Sequence, residues 1–221
     1  MGRQWSATIV FAAVLLPITL ATAGAGTFTS SRAALDGTGS SYAETTLGDF
    51  IADAERDQTG ADAAVISASE IRPIAIAAGQ VDIDRLSAAL ASPSDTGNTI
   101  VVLKLTGAQI RRAFERALSR APTPYDGFLQ VSAIRVVYDS SKASGSRITE
   151  LVIAGHKALA EQAYLIATSR HLADGALGYF DIWSRSDIVK DTAVPLTRAV
   201  ADFAASKQPL DYHIESRISG R

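Results

Sequence analysis

The stretch Gly97–Leu118, G-N-T-I-V-V-L-K-L-T-G-A-Q-I-R-R-A-F-E-R-A-L, changes its hydrophobic period halfway along, and that change decides the fold class. Thr99–Leu105 is a mostly aliphatic run, rich in β-branched residues and interrupted by Lys104, the composition of a largely buried strand. Gly107 breaks the run. Beyond it Ile110, Ala113, Phe114, Ala117 and Leu118 fall on one helical stripe, with Arg111, Arg112, Glu115 and Arg116 outside it. The turn cluster Ser92–Asn98 precedes the strand, and Pro122 and Pro124 end the helix. A strand feeding straight into an amphipathic helix is a unit of an α/β domain.

Working outward, Thr46 is expected to cap a helix that carries Leu47, Phe50, Ile51 and Ala54 on one face, with Gly60 after its end. Ala63–Ser67 predicts a short buried strand, Ile71–Gln80 an extended loop, and Asp82 or Asp84 the start of a short helix through Leu90. Downstream, Phe128–Tyr138 and Ile148–Ile153 predict a strand pair joined by the polar turn Asp139–Arg147, followed by a strand at Ala163–Ser169. Thr192–Lys207 predicts a helix with Pro195 in its first turn, and Tyr212–Ile218 a closing extended stretch. Strands and helices alternate, yet several strands are sequential neighbours. The expected architecture is therefore α/β with a mixed sheet flanked by helices.

The N-terminus reads as a secretory signal. Arg3 supplies the positive start, Ala7–Leu20 the apolar run, and Ala21-Thr22-Ala23 the small-residue cleavage site, with Ala23-Gly24-Ala25 as a second option. The run is shorter than the roughly 20 residues a membrane-crossing helix needs, and Pro17 interrupts it, so no stable membrane anchor is expected. Gly24–Ser41 is rich in Gly, Ser, Thr and Ala and reads as a linker. The expected organisation is a signal peptide at 1–23, a flexible linker at 24–43 and one domain at 44–221, exported to the periplasm or beyond the cell. With no cysteine, the domain must stand on its core. A net charge of −2 with interspersed signs leaves no basic stripe for nucleic acid.

Catalytic motifs are absent from the sequence. The three histidines, His156, His171 and His213, share no helical turn, so no metal-ligand spacing arises. No G-x-S-x-G elbow surrounds Ser67 or Ser69, and Gly175–Gly178 lacks a Walker lysine. Ser67, His171 and Asp174 could meet by folding, but the plain reading makes them polar loop residues at strand ends.

Five collinear segments carry a resemblance. They are Glu44–Ala54 (ETTLGDFIADA), Ala63–Arg72 (AAVISASEIR), Gly97–Gly107 (GNTIVVLKLTG), Gly127–Asp139 (GFLQVSAIRVVYD) and Tyr164–Gly175 (YLIATSRHLADG). With Glu215–Ile218 at the end, the chain from about Glu44 to Ile218 resembles the C-terminal domain of the 5′-nucleotidase family. The resemblance implies an α/β domain that supplies a pocket for base and ribose. The family's divalent metals and catalytic His and Asp residues belong to a separate metallophosphoesterase domain, expected to be missing here, so no cofactor is expected in this chain.

The family's substrate loop reads N-G-G-G-I-R; the matching positions here are Ser67-Ala68-Ser69-Glu70-Ile71-Arg72, of which Arg72 is retained. Glu70 puts a carboxylate where an anionic substrate would approach. Of the family's two base-stacking rings, one position holds Thr96 and the other Tyr179, while Leu177 stands where an aspartate would bind the ribose. The resemblance thus names Arg72, Asn98, Phe128, Tyr179 and Phe180 as the residues lining whatever pocket remains. The expected function is a binding or accessory module for a nucleoside or nucleotide, with no catalysis of its own. Two other readings stay open. One is the substrate-binding half of a split nucleotide hydrolase whose separate metallophosphoesterase chain does the chemistry; the other is a purely structural or interaction domain.

Overall fold

The computed structural model describes Gly2 and residues 28–221. The expected signal peptide, Gly2 apart, and residues 24–27 lie outside the described residues. In chain order the first elements are β1 (Phe28–Ser31), β2 (Leu35–Asp36), α1 (Thr46–Thr59), β3 (Ala63–Ser67), β4 (Ala75–Ile76), β5 (Gly79–Asp82) and α2 (Ile83–Ser87). Next come β6 (Thr99–Thr106), α3 (Gly107–Ala117), β7 (Leu129–Ser132), β8 (Ile134–Tyr138), β9 (Ile148–Ile153) and β10 (His156–Lys157). The chain ends with β11 (Ala163–Ser169), α4 (Arg170–Ala173), β12 (Ile188–Pro195), α5 (Leu196–Ser206) and β13 (Ile218–Gly220). No helix of the described residues is long and apolar enough to cross a membrane.

The central sheet has the order β12-β6-β11-β3-β7. Within it β3 and β11 run parallel, and the other neighbours are antiparallel. Strand periodicity sorts the side chains between two cores. On β6, Ile100 and Val102 join α1, α2 and α5, whereas Val101, Leu103 and Leu105 face Ile110, Ala113 and Phe114 of α3. Strand β3 does the same, with Ala64 and Ile66 on the first side and Ala63 and Val65 on the second. The second core is closed by another sheet, of order β10-β9-β8-β13. The architecture is thus α/β with mixed sheets flanked by helices.

Four details depart from expectation. Residues 28–43, read as linker, are part of the domain. Leu35 is fully buried, β1 pairs with β5 and β2 with β4, and Thr29 donates to the Ala204 carbonyl at 2.9 Å. Fully buried Gln130 fixes the end of this segment by donating to the carbonyls of Ser40 (2.8 Å) and Ala43 (2.7 Å). Second, the expected strand Phe128–Tyr138 divides at Ala133, whose φ of 56° turns the chain from one sheet to the other. Third, Thr192 lies in edge strand β12, donating to the Ile100 carbonyl at 2.7 Å, and the helix begins only at Leu196. The first helix, in turn, is capped by Thr45 rather than Thr46, with Gly60 in the left-handed region at its end.

Helix α1 buries two carboxyl groups without hydrogen-bond partners, those of Asp49 and Glu55. Asp49 has the Arg217 guanidinium 3.6 Å away. Burial nevertheless outweighs that attraction and pushes its pKa up from 3.8 to about 9. Glu55 has no ion pair among the described residues, and burial, reinforced by the nearby Glu70, raises it well above its ordinary 4.5. A raised folded-state value means the unfolded chain gives up the proton first. Folding is therefore penalised increasingly as pH climbs above about 4.5 towards that raised value. Replacing Glu55 by Met, of similar length and apolar, is expected to stabilise the protein by about 1–3 kcal/mol at pH 7. Thermal unfolding of Glu55→Met and the parent at pH 7 and pH 4.5 checks this: the gain should shrink at the lower pH.

Candidate functional site

Because β3 and β11 are parallel, their C-terminal ends lie at the same edge of the sheet, and antiparallel β6 begins there. Crevices beyond the carboxyl ends of such strands are where α/β folds gather ligand-binding groups. Here Ser67 ends β3, Ser169 ends β11 and Asn98 immediately precedes β6. After Ser67 the chain makes a single 3-10 turn, Ala68–Glu70, pinned by the Ala68 amide donating to the Phe128 carbonyl (2.8 Å) and the Ser69 amide to that of Asp126 (3.0 Å). Ser169 caps α4 by accepting from the Leu172 amide at 3.2 Å, which sets His171 and Asp174 beside the opening.

These elements enclose a cavity of about 470 Å³. Glu70, 9% exposed, is its polar centre. Its Oε2 accepts from the hydroxyls of Ser67 (3.1 Å) and Ser169 (2.9 Å), and its Oε1 from the Asn98 amide nitrogen (2.9 Å). Asn98 also accepts from the His171 backbone amide at 3.2 Å, coupling the start of β6 to α4. The half-exposed His171 ring places Nε2 3.1 Å from Asp95 at the rim. Asp174 is held by Arg185 through two contacts, of 2.9 and 2.8 Å. Leu90, Leu172, Leu177 and Leu196 supply the apolar part of the wall. The arrangement can fix an amine or hydroxyl ligand by hydrogen bonds while packing its hydrocarbon.

Ser67, His171 and Asp174 do meet at one cavity, but as no triad. Ser67 is committed to Glu70 and Ser69, His171 to Asp95, and Asp174 to Arg185. For the metals that the resemblance assigns to another domain, no three His, Cys, Asp or Glu side chains converge as ligands among the described residues.

Of the five residues named from sequence, Asn98 lines the cavity and the other four do not. Arg72 is exposed and reaches the Ala91 carbonyl at 3.4 Å. Phe128 is core. Tyr179, expected as a stacking ring, is completely buried, stacked on Trp183 at 4.7 Å, and donates to the Gly127 carbonyl at 2.7 Å. Phe180 is 68% exposed instead. The reason lies in the loop before them. The Leu177 carbonyl accepts from Arg116 Nε (2.8 Å) and Nη2 (2.6 Å) and from the Tyr125 hydroxyl (3.1 Å). This holds Leu177 at φ 56° and Gly178 at φ 81°, where a Cβ would sit 1.7 Å from Arg116 Nη2.

Sequence reasoning missed Asp95 and Ser169 as part of the site. The signals were local: an Asp-to-Gly turn in which Asp95 accepts from the Gly97 amide, and a serine capping a short helix. The two adjacent aromatics provide a test. Tyr179→Ala should cost about 3–5 kcal/mol of stability as a cavity in the core, while Phe180→Ala should stay within about 0.5 kcal/mol. Denaturant unfolding of both variants measures the difference.

Residues 23–184 match the model of the "5′-nucleotidase, C-terminal domain" family. The chain is 31% identical over 145 residues to the trifunctional nucleotide phosphoesterase protein YfkN of Bacillus subtilis, taking in 62% of this chain and 10% of that protein. It is 33% identical over 91 residues to the snake venom 5′-nucleotidase of Macrovipera lebetinus, taking in 38% of this chain and 22% of the relative. In three dimensions it superposes on the 5′-nucleotidase precursor from Thermus thermophilus with a TM-score of 0.78 and 24% identity, over 87% of this chain and 39% of that one. The chain thus spans less than half the length of each. Matched by the family model over most of its length, the chain belongs to the 5′-nucleotidase C-terminal domain family.

Proposed function

We propose that this domain is a non-catalytic binding module that holds a nucleoside-sized ligand in the cavity around Glu70 and Asn98, and that it works outside the cytoplasm. The observation that carries the reading is the cavity itself. Its volume of about 470 Å³ is that of a small-molecule site. Its walls include the segments around Ser67–Glu70, Asn98 and Ala176–Leu177, which the resemblance matches to the family's substrate segments. The relatives named as nucleotidases and phosphoesterases extend well beyond the matched part, and the resemblance assigns the metal chemistry to that other part.

Binding without turnover also fits the changes inside the substrate loop. Glycines would let a ligand approach the backbone, whereas Glu70 fills that approach with a carboxylate and ties it to both parallel strands. The loop Gly175–Gly178 presents Ala176 and Leu177 to the cavity while its aromatic neighbour packs in the core. A ligand would be held by hydrogen bonds and apolar contact rather than by a two-ring clamp.

Calorimetry with the purified chain and adenosine tests the binding, and phosphate release from AMP with added magnesium or manganese tests the rest. Heat with adenosine and no phosphate are expected; metal-dependent phosphate release by the chain alone overturns the non-catalytic reading. Asn98→Ala should weaken adenosine at least tenfold, about 1.4 kcal/mol. Export rests on the Arg3–Ala23 pattern and predicts an extracytoplasmic protein whose N-terminus, by mass spectrometry, is Gly24 or Gly26.

A further inference from the structure

The charges around the cavity are unevenly satisfied. Four ionisable side chains line it, Glu70, Asp95, His171 and Asp174, and none of the lining residues is Lys or Arg. Asp174 carries the Arg185 guanidinium, and Asp95 has His171. Glu70 differs from both. Its partners are two hydroxyls and one amide, all neutral, and no ion pair reaches it among the described residues. Hydrogen bonds orient such a carboxylate without cancelling its charge, and a buried charge ordinarily has a counter-ion.

The arginine that sequence placed in the substrate loop does not compensate. Arg72 is exposed, with its guanidinium on the Ala91 carbonyl.

We infer that the cavity takes an organic cation, a small molecule whose ammonium group supplies Glu70 with its missing partner, and that it rejects phosphorylated ligands. The inference rests on the reading that the cavity binds a small molecule. A bare metal ion is the poorer occupant. No three metal-ligating side chains converge among the described residues, and an ion would leave most of about 470 Å³ and four leucines unused. An ammonium on a hydrocarbon or sugar frame uses both parts of the wall. Oε1 of Glu70, which takes one hydrogen bond, retains acceptor capacity for it.

A charge series on one frame tests this: 5′-amino-5′-deoxyadenosine, adenosine and AMP, titrated calorimetrically into the purified chain at pH 7 and low salt. The amine should bind at least tenfold more tightly than adenosine, with AMP the weakest. Raising the ionic strength should narrow the spread. Glu70→Gln should bring the amine's advantage below threefold. The series on the parent chain stands without that variant if the variant does not fold. Equal affinity for all three, or AMP binding as well as the amine, overturns the cation inference and leaves the binding reading intact. Silence from all three overturns both.

Discussion

The parallel pairing of β3 with β11, inside a sheet whose other neighbours are antiparallel, is the constraint on which the rest of the molecule depends. It requires both strands to end at the same edge, so the two serines that terminate them come within reach of one side chain, Glu70. Antiparallel β6 then has to start where they finish, which delivers Asn98 to the same carboxylate. Sheet topology alone concentrates polar groups at one edge of an otherwise apolar slab. Burial of both faces of the sheet, by α1, α2 and α5 on one side and by α3 with the second sheet on the other, leaves that edge as the opening.

This explains why the site and the core are legible to different degrees. The β6–α3 unit could be read from Gly97–Leu118 because its apolar period switches from strand to helix, and the two cores use the residues that the switch predicts. Gly60 as a helix terminator follows from the same local chemistry. Residues 28–43 were illegible for the opposite reason. Their polar groups are satisfied by partners far along the chain, such as Thr29 on Ala204 and Gln130 on Ser40, and composition carries no trace of such contacts. Edge strand β12 likewise hides, because it is exposed along much of its length and lacks alternation.

At the site, sequence identifies which segments meet but not which side chains face inward. Tyr179 and Phe180 are adjacent aromatics, and nothing in their identities says that the first enters the core and the second faces solvent. That choice is made by Arg116, near the end of α3, which grips the Leu177 carbonyl and twists the loop. Glu70 was visible as an oddity in the substrate loop. Its neutral retinue of Ser67, Ser169 and Asn98, which comes from the ends of three strands, was not.

The far end of the chain imposes an order on assembly. Arg217 grips Asp53 of α1 through both terminal nitrogens and also donates to the Val131 carbonyl, while Glu44 accepts from the amides of Glu215 and Ile218. Residues just ahead of the first helix are therefore fastened by residues more than 170 positions later. A ribosome releases the N-terminal part first, so α1 emerges long before its fastener. Until residues 215–218 appear, the growing chain can pair its strands and pack its helices, but the contacts that fasten Glu44 and Asp53 to the C-terminal segment are still missing.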